Sequence, residues 1–543
     1  MNPNQATNNR NSTSKEHGMT ARTPRAEPQP STKFQEIVAG GSQVIARRTF
    51  FKATLGILGG VGLARHMPFA AYAAAAASSA TRRPNIIFIL TDDQGYGDLS
   101  CHGNPILKTP KIDTLYAEST RFTDFQVSPV CSPTRCALMT GRFEFRSGVH
   151  DTRGPGQNMS LKATTVAQVL KSAGYSTGLF GKWHLGEEKE YQPWQRGFDE
   201  SLSFLSGMIA EGMPGNNKDK TDCILLRNGE KEKTDGWCTD VFFGEAIKWM
   251  GKVKGDGPFF AYIPTSSPHA PVKSPPEYSK PYMDKVPGSN NREMPDYYGE
   301  IANIDENVGK LMEQLKAWKI QDNTMLVFMS DNGAPDKGKN DISPVKSFNA
   351  GMKGHKGTVD EGGTRVPSFW YWPGVFSGGK NVGKLAAHID VFPTFAEIAG
   401  AKAPQGLELD GRSLLPLLKD PDAAWPDRFI CVHKSGSGAK EKGDGFAVRN
   451  DRFRMVGNGA LFDVKADRGQ TKNIISEHKG VATEMRAAYD QWWDSVRPGL
   501  GETTAAASEE KPDKNAKQKK KQGQQGQSLD KLIETEQAAA ANP

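Results

Sequence analysis

Five short apolar runs punctuate the middle of the chain, each followed by a polar turn or a segment of helical period. The runs are NIIFIL (85–90), STGLF (176–180), FFAYI (259–263), MLVFM (325–329) and VPSFWYW (366–372). Between them lie segments whose apolar residues recur every three or four positions, such as TTVAQVLKSAG (164–174) and YGEIANIDENVGKLMEQLKAW (298–318). A nearly continuous apolar strand suits a sheet covered on both faces, because neither side of the strand then meets water. Alternation of such strands with amphipathic helices predicts an α/β fold with a mostly parallel central sheet flanked by helices on both faces. In sheets of this kind ligands bind beyond the carboxyl ends of the strands.

Four of the five runs lead into a charged or imidazole-bearing cluster. These clusters hold Asp92 and Asp93 in TDDQGYGD, Lys182 and His184 in GKWHLG, His269 in SSPHAP, and Asp331 and Asn332 in SDNG. Lys356 adds a cation within GHKGTVDEGGTRVP. Each cluster alone is an ordinary turn after a strand; together they form a constellation. Asp92, Asp93, Asp331 and Asn332 are hard oxygen donors, which suit Ca²⁺ or Mg²⁺ rather than zinc. Arg135, Lys182, Lys356, His184 and His269 offer positive charge or protons. Such a cavity suits a tetrahedral oxyanion ester, whose non-bridging charge must be held through the transition state.

Composition changes the picture mainly at the ends. Residues 1–46 are polar, and residues 501–543 are a Lys/Gln-rich mixture that buries too little apolar surface to order itself. Both are expected to be disordered. Residues 47–80 contain RRTFFK ahead of a weakly apolar, Gly- and Ala-rich stretch, with AYA at 71–73 as a cleavage site. This resembles a twin-arginine export signal and is a poor membrane span, since Arg65 and His66 interrupt it. A start at Met19 would shorten the long leader. The reading predicts an exported protein, periplasmic or extracellular in a bacterium, that uses the twin-arginine machinery and has no stable membrane span. The net charge of +7 comes partly from the tail lysines and does not indicate a nucleic-acid-binding core. Six cysteines are too few for a disulfide scaffold, although Cys223 and Cys238 flank a polar segment and could pair after export.

One stretch remains, SPVCSPTRCALMTGR (128–142). Read alone, Cys131 could be a buried structural thiol or a partner for Cys136 or Cys101. Set beside the other clusters, Cys131-Ser-Pro133-Thr-Arg135 matches Cys-x-Pro-x-Arg, and the chain from about residue 84 to 495 resembles the sulfatase family of the alkaline-phosphatase-like superfamily. The segments HIDVFPTFAEIAGA, LDGRSLLPLL and FAVRNDRFRMV continue the resemblance. It implies a catalytic domain at 84–425 and a small C-terminal α+β subdomain at 426–500.

The resemblance implies an arylsulfatase-like sulfuric ester hydrolase whose substrate is a sulfated small molecule or saccharide. In that family a formylglycine-generating enzyme, acting on the unfolded chain, oxidises the motif cysteine to an aldehyde. One hydroxyl of its hydrate attacks sulfur, and the other expels sulfate from the resulting covalent ester. Carried over by motif, Cys131 is the nucleophile precursor and sits on the metal. Asp92, Asp93, Asp331 and Asn332 are its protein ligands, for Ca²⁺ in preference to Mg²⁺. Arg135 holds the hydrate, Lys182 and Lys356 bind sulfate oxygens, His184 accepts the proton of sulfate elimination, and His269 helps to protonate the leaving oxygen. A phosphodiesterase or phosphonate monoester hydrolase of the same superfamily is the alternative; a non-catalytic binder of sulfated polymers is a third reading. Specificity loops are expected near 201–237 and 273–297.

Overall fold

The computed structural model describes residues 83–501, apart from 210, 212–214, 216–218, 287–292, 337–346, 435–438 and 444. The expected leader, export signal and basic tail lie outside the described residues, as does part of the 273–297 segment. In chain order the strands are β1 (Asn85–Thr91), β2 (Thr120–Phe122), β3 (Phe125–Gln126), β4 (Ser176–Lys182), β5 (Glu200–Phe204), β6 (Ile224–Arg227), β7 (Glu230–Lys233), β8 (Phe259–Pro264), β9 (Thr324–Ser330), β10 (Ser368–Tyr371), β11 (Lys380–Val382) and β12 (Ala386–Ala387). Four more follow: β13 (Ile430–His433), β14 (Phe446–Arg449), β15 (Phe453–Val456) and β16 (Ala460–Asp463).

Ten strands form one sheet in the order β11-β2-β10-β9-β1-β8-β4-β5-β6-β7. Its centre, β9-β1-β8-β4-β5, is parallel, as the apolar runs predict. Alternate residues of β1 feed two different cores. Ile86, Phe88 and Leu90 pack with the helices Val166–Ser172 and Val391–Ile398, while Ile87 and Ile89 pack with Cys238–Val253 and Glu293–Ala317. Both faces are therefore covered, which is why the strand carries no polar alternation. The capping box of Thr165 and Gln168 fixes the start of the 166–172 helix.

One run behaves differently. β10 pairs antiparallel with β9, so the chain enters β10 at the edge where the parallel strands end. That reversal explains why VPSFWYW leads into no cluster of its own: the functional segment, with Lys356, precedes the strand instead of following it.

β13–β16 form a separate antiparallel sheet with the helix Lys479–Val496, the small C-terminal subdomain. Its core is shared with the main body, because Phe145, Leu385 and Ile389 pack among Phe446, Tyr489 and Trp493. Arg449 and Arg454 also reach Glu361 at 2.8 and 2.6 Å. All six cysteines are free thiols, so Cys223 and Cys238 do not pair, nor does Cys131 with Cys101 or Cys136. Among the described residues no helix is long and apolar enough to cross a membrane.

Candidate active site

Adjacent parallel strands release their next residues at one edge, and there the clusters meet. Asp92 and Asp93 leave β1, Asp331 and Asn332 leave β9, Lys182 ends β4, and the loop after β8 carries His269. Gly181 makes this convergence possible: a Cβ there would lie 1.8 Å from the Pro264 carbonyl oxygen, so only glycine lets β4 approach β8 beside Lys182. Asp93 and His184 both hold left-handed backbone, with φ of 67° and 59°. Non-glycine residues in that region cost on the order of 1 kcal/mol each and cluster at functional sites.

The polar contacts form one connected set. Lys182 Nζ lies 2.7 Å from Asp92 Oδ2, with both side chains fully buried. Arg135 donates from Nη2 and Nε to Asp331 Oδ2 at 2.8 and 3.1 Å, and from Nη1 to the Lys182 carbonyl at 3.1 Å. The Asp93 amide donates to Asp331 Oδ1 at 3.1 Å. Asn332 Nδ2 donates to Asp93 Oδ1 at 2.8 Å, Lys356 Nζ lies 2.7 Å from that same oxygen, and His269 Nε2 is 3.6 Å from Asp93 Oδ2. The amides of Lys356 and Gly357 donate to Ala334 and Pro129 at 2.9 and 2.8 Å, which ties the Lys356 loop to both neighbouring segments.

Cys131 opens the helix Cys131–Thr140, earlier than the run CALMTGR suggests. Pro133 falls in its first turn, where a missing N–H costs nothing. The thiol is 2% exposed and lines an open cleft of about 270 Å³ with His184, His269, Lys356 and Asp93. Every residue assigned from the sequence thus lies in or directly beneath this cleft.

The electrostatics sort these groups. Burial pushes the Asp92 carboxyl up, but Lys182, His269, Arg135 and Lys356 outweigh it and hold it well below the usual range. Asp93 is lowered against burial in the same way, chiefly by Lys356 and His269. Asp331 is pushed up to about 7, first by burial and then by the Asp92 carboxylate, although Arg135 pulls it down. Burial likewise raises the Cys131 thiol above its ordinary value, with Asp92 and Asp331 adding to it and Lys182 and Lys356 opposing. Burial and then Lys182 press His184 well down; burial and then Lys356 hold His269 at about 4, so both rings are neutral at pH 7.

The donor set fits a divalent cation. Asp92, Asp93 and Asp331 bring carboxylate oxygens within 4.8 Å of one another, and Asp92, Cys131 and His269 do the same with their ligand atoms. Asp92 Oδ1 and Asn332 Oδ1 are buried without a hydrogen-bond partner, as oxygens meant for a cation would be. Hard oxygen ligands of this kind suit Ca²⁺ or Mg²⁺.

Sequence reasoning missed part of the cleft wall. Thr152 and Arg153 line it. No apolar run precedes Arg153, so nothing in its local pattern marks it. Gly207, Met208 and Glu211 come from the first expected specificity segment; among the described residues no lining side chain comes from 273–297.

A second buried cluster supports the Cys131 helix. Ser128 Oγ donates to Glu144 Oε1 at 2.8 Å and lies 3.0 Å from His388 Nε2, while Thr134 Oγ1 donates to the Ser128 carbonyl at 3.1 Å. Burial pushes Glu144 up to about 7, beyond what its bond to Ser128 recovers. A folded-state carboxyl raised above its unfolded value binds extra protons, so its contribution is present below about pH 4.5 and is lost as pH rises through 7, a change of about 3 kcal/mol. Thermal melts at about pH 5 and about pH 8 should show Glu144→Gln gaining on wild type by a few degrees at the higher pH. Parallel pH curves for the two proteins would contradict this.

Comparison with known proteins agrees with this geometry. The Sulfatase family model matches residues 84–401, and that of the N-sulphoglucosamine sulphohydrolase C-terminal region matches 355–492. The architecture is that of the alkaline-phosphatase-like sulfatases. The human N-acetylgalactosamine-6-sulfatase is 32% identical over 371 residues, 63% of this chain and 67% of that protein. The uncharacterized sulfatase YdeN of Escherichia coli (strain K12) is 30% identical over 507 residues, 77% of this chain and 87% of the relative. The crystal structure of Ps i-CgsB in complex with k-i-k-neocarrahexaose superposes with a TM-score of 0.67 at 32% identity, covering 77% of this chain and 94% of that one. The chain belongs to the sulfatase family and is a sulfuric ester hydrolase.

Proposed function

We propose that this sulfatase cleaves sulfate esters of carbohydrates through a formylglycine made from Cys131, with Ca²⁺ held by Asp92, Asp93, Asp331 and Asn332 and touching residue 131. The observation that carries the reading is the setting of Cys131. It opens a helix at the floor of the cleft beside the carboxylates and both lysines, yet its thiol is raised, and a protonated thiol is a weak nucleophile. The position makes chemical sense once the sulfur is replaced by a hydrated aldehyde. When bound, the cation would supply Lewis-acid stabilisation and help to ionise a hydroxyl at residue 131. Saccharide substrates are supported by the names of the relatives, one an N-acetylgalactosamine-6-sulfatase and one solved with a neocarrahexaose.

The chain's own residues divide the remaining work. Arg135 fixes Asp331 and keeps positive charge beneath residue 131. Lys182 and Lys356 neutralise the sulfate oxygens. His184 Nε2 lies 2.9 Å from the Thr152 carbonyl, so that nitrogen carries the proton and Nδ1, which has no partner, is left to accept one during sulfate release. His269 Nδ1 donates to the Ala270 carbonyl at 2.6 Å, so Nε2, on the Asp93 side, carries a proton for the leaving oxygen only when the ring is an imidazolium, with Lys356 beside it as the second donor. A bound anion would raise the His269 value, since nearby negative charge favours the imidazolium.

The domain reading is proposed with it: catalytic residues 84–425, a C-terminal subdomain at 426–500, and an export signal at 47–80 leading to the periplasm or exterior. Steady-state rates on matched aryl sulfate, phosphodiester and phosphonate esters test the reaction class, followed by defined sulfated monosaccharides and oligosaccharides. The expected order places sulfate esters first. A preference for the phosphorus substrates would overturn the proposal in favour of a phosphodiesterase or phosphonate hydrolase.

A further inference from the structure

The loop after β8 that carries His269 is gripped from below by an ion pair contributed by two distant segments. Lys220 precedes β6, and Glu300 lies on the helix Glu293–Ala317; their side chains are 1% and 0% exposed and 2.7 Å apart. An ammonium has three donors, and all three of Lys220 are used. They reach Glu300 Oε2 at 2.7 Å, the His269 carbonyl at 2.7 Å and the Ser266 carbonyl at 3.4 Å. Glu300 returns the grip, accepting the Lys273 amide on Oε1 at 2.9 Å. On the opposite side the loop is tied to β1, where the Asp92 amide donates to the Ser267 carbonyl at 3.1 Å and the Thr265 amide to Leu90 at 2.9 Å.

A buried ion pair is a poor route to stability, because desolvation offsets most of the attraction and a well-packed apolar pair often does as well. Burial here still raises Glu300 in spite of Lys220. What an apolar pair could not do is hold two carbonyls and one amide of a single loop in register. We propose that Lys220 and Glu300 are positioning residues that set His269 at its distance from Asp93 and the cleft; this rests on the reading that His269 serves the leaving oxygen. Displacing a reacting group by about 1 Å costs on the order of 10²-fold in rate.

The test is a double-mutant cycle on aryl sulfate turnover, using the full chain co-produced with a formylglycine-generating enzyme. Lys220→Met should lower kcat by about 10- to 100-fold, with KM little changed, and should cost less than about 2-fold when His269 is already alanine, because coupled residues are not additive. Lys220→Met/Glu300→Met removes both charges and guards against misfolding caused by one stranded carboxylate. It should melt near the wild-type temperature while kcat stays low. Recovery of wild-type kcat in that double variant, or an equal Lys220→Met loss with and without His269, overturns the clamp. A wild-type chain that cleaves no sulfate ester would overturn the reaction assignment, and the clamp with it.

Discussion

Replacing Cys131 by serine should leave a folded chain whose aryl sulfate turnover falls by at least about 10⁴-fold, while about one sulfate per chain stays bound covalently. The folding half of the expectation follows from the site. Cys131 sits at the helix start and is buried, and serine differs from it only by oxygen in place of sulfur. The kinetic half follows from counting hydroxyls. An aldehyde hydrate has one oxygen to attack sulfur and a second to expel sulfate when deprotonated. Serine keeps the first and lacks the second, so the lysines and Arg135 still support attack but release stops. Product formation in a single turnover, together with the mass of the intact variant, reads both halves. Wild-type steady-state turnover by this variant would contradict the account.

Dialysis against a chelator should abolish turnover and lower the melting temperature, and Ca²⁺ should restore both more fully than Mg²⁺. The carboxylates of Asp92, Asp93 and Asp331 crowd one buried spot, and protein cations alone leave Asp331 pushed up to about 7, by burial first and by Asp92 second. Asp92 Oδ1, and with it the Asn332 side-chain oxygen, accepts no hydrogen bond. A divalent cation satisfies all of these at once. A ligand present at a hundred times its dissociation constant stabilises the folded state by about 2.7 kcal/mol, which a melting curve resolves without any assay of catalysis. Unchanged melting and unchanged turnover after chelation would show that the carboxylates serve only as structure.

Local pattern made much of this legible. The apolar runs that became β1, β4, β8 and β9 announce a sheet buried on both faces, and each ends where the site begins, so Asp92, Lys182, His269 and Asp331 could be found by reading past the strand. Lys356 needed the motif, because β10 runs the other way and the residue precedes its strand. What escaped depends on tertiary contact. Lys220 and Glu300 are 80 positions apart and meet only because the long helix packs beneath the loop after β8. Ser128, Glu144 and His388 belong to three segments with no common period. Arg153 lies on a turn whose composition is that of any solvated loop, so only the cleft marks it.

The most direct measurement is mass spectrometry of the proteolytic peptide that spans Cys131, from chain co-produced with a formylglycine-generating enzyme. The expected peptide carries an aldehyde at that position, and the modified fraction rises in step with specific activity. An unmodified thiol in a preparation that cleaves sulfate esters at its full rate would contradict the account.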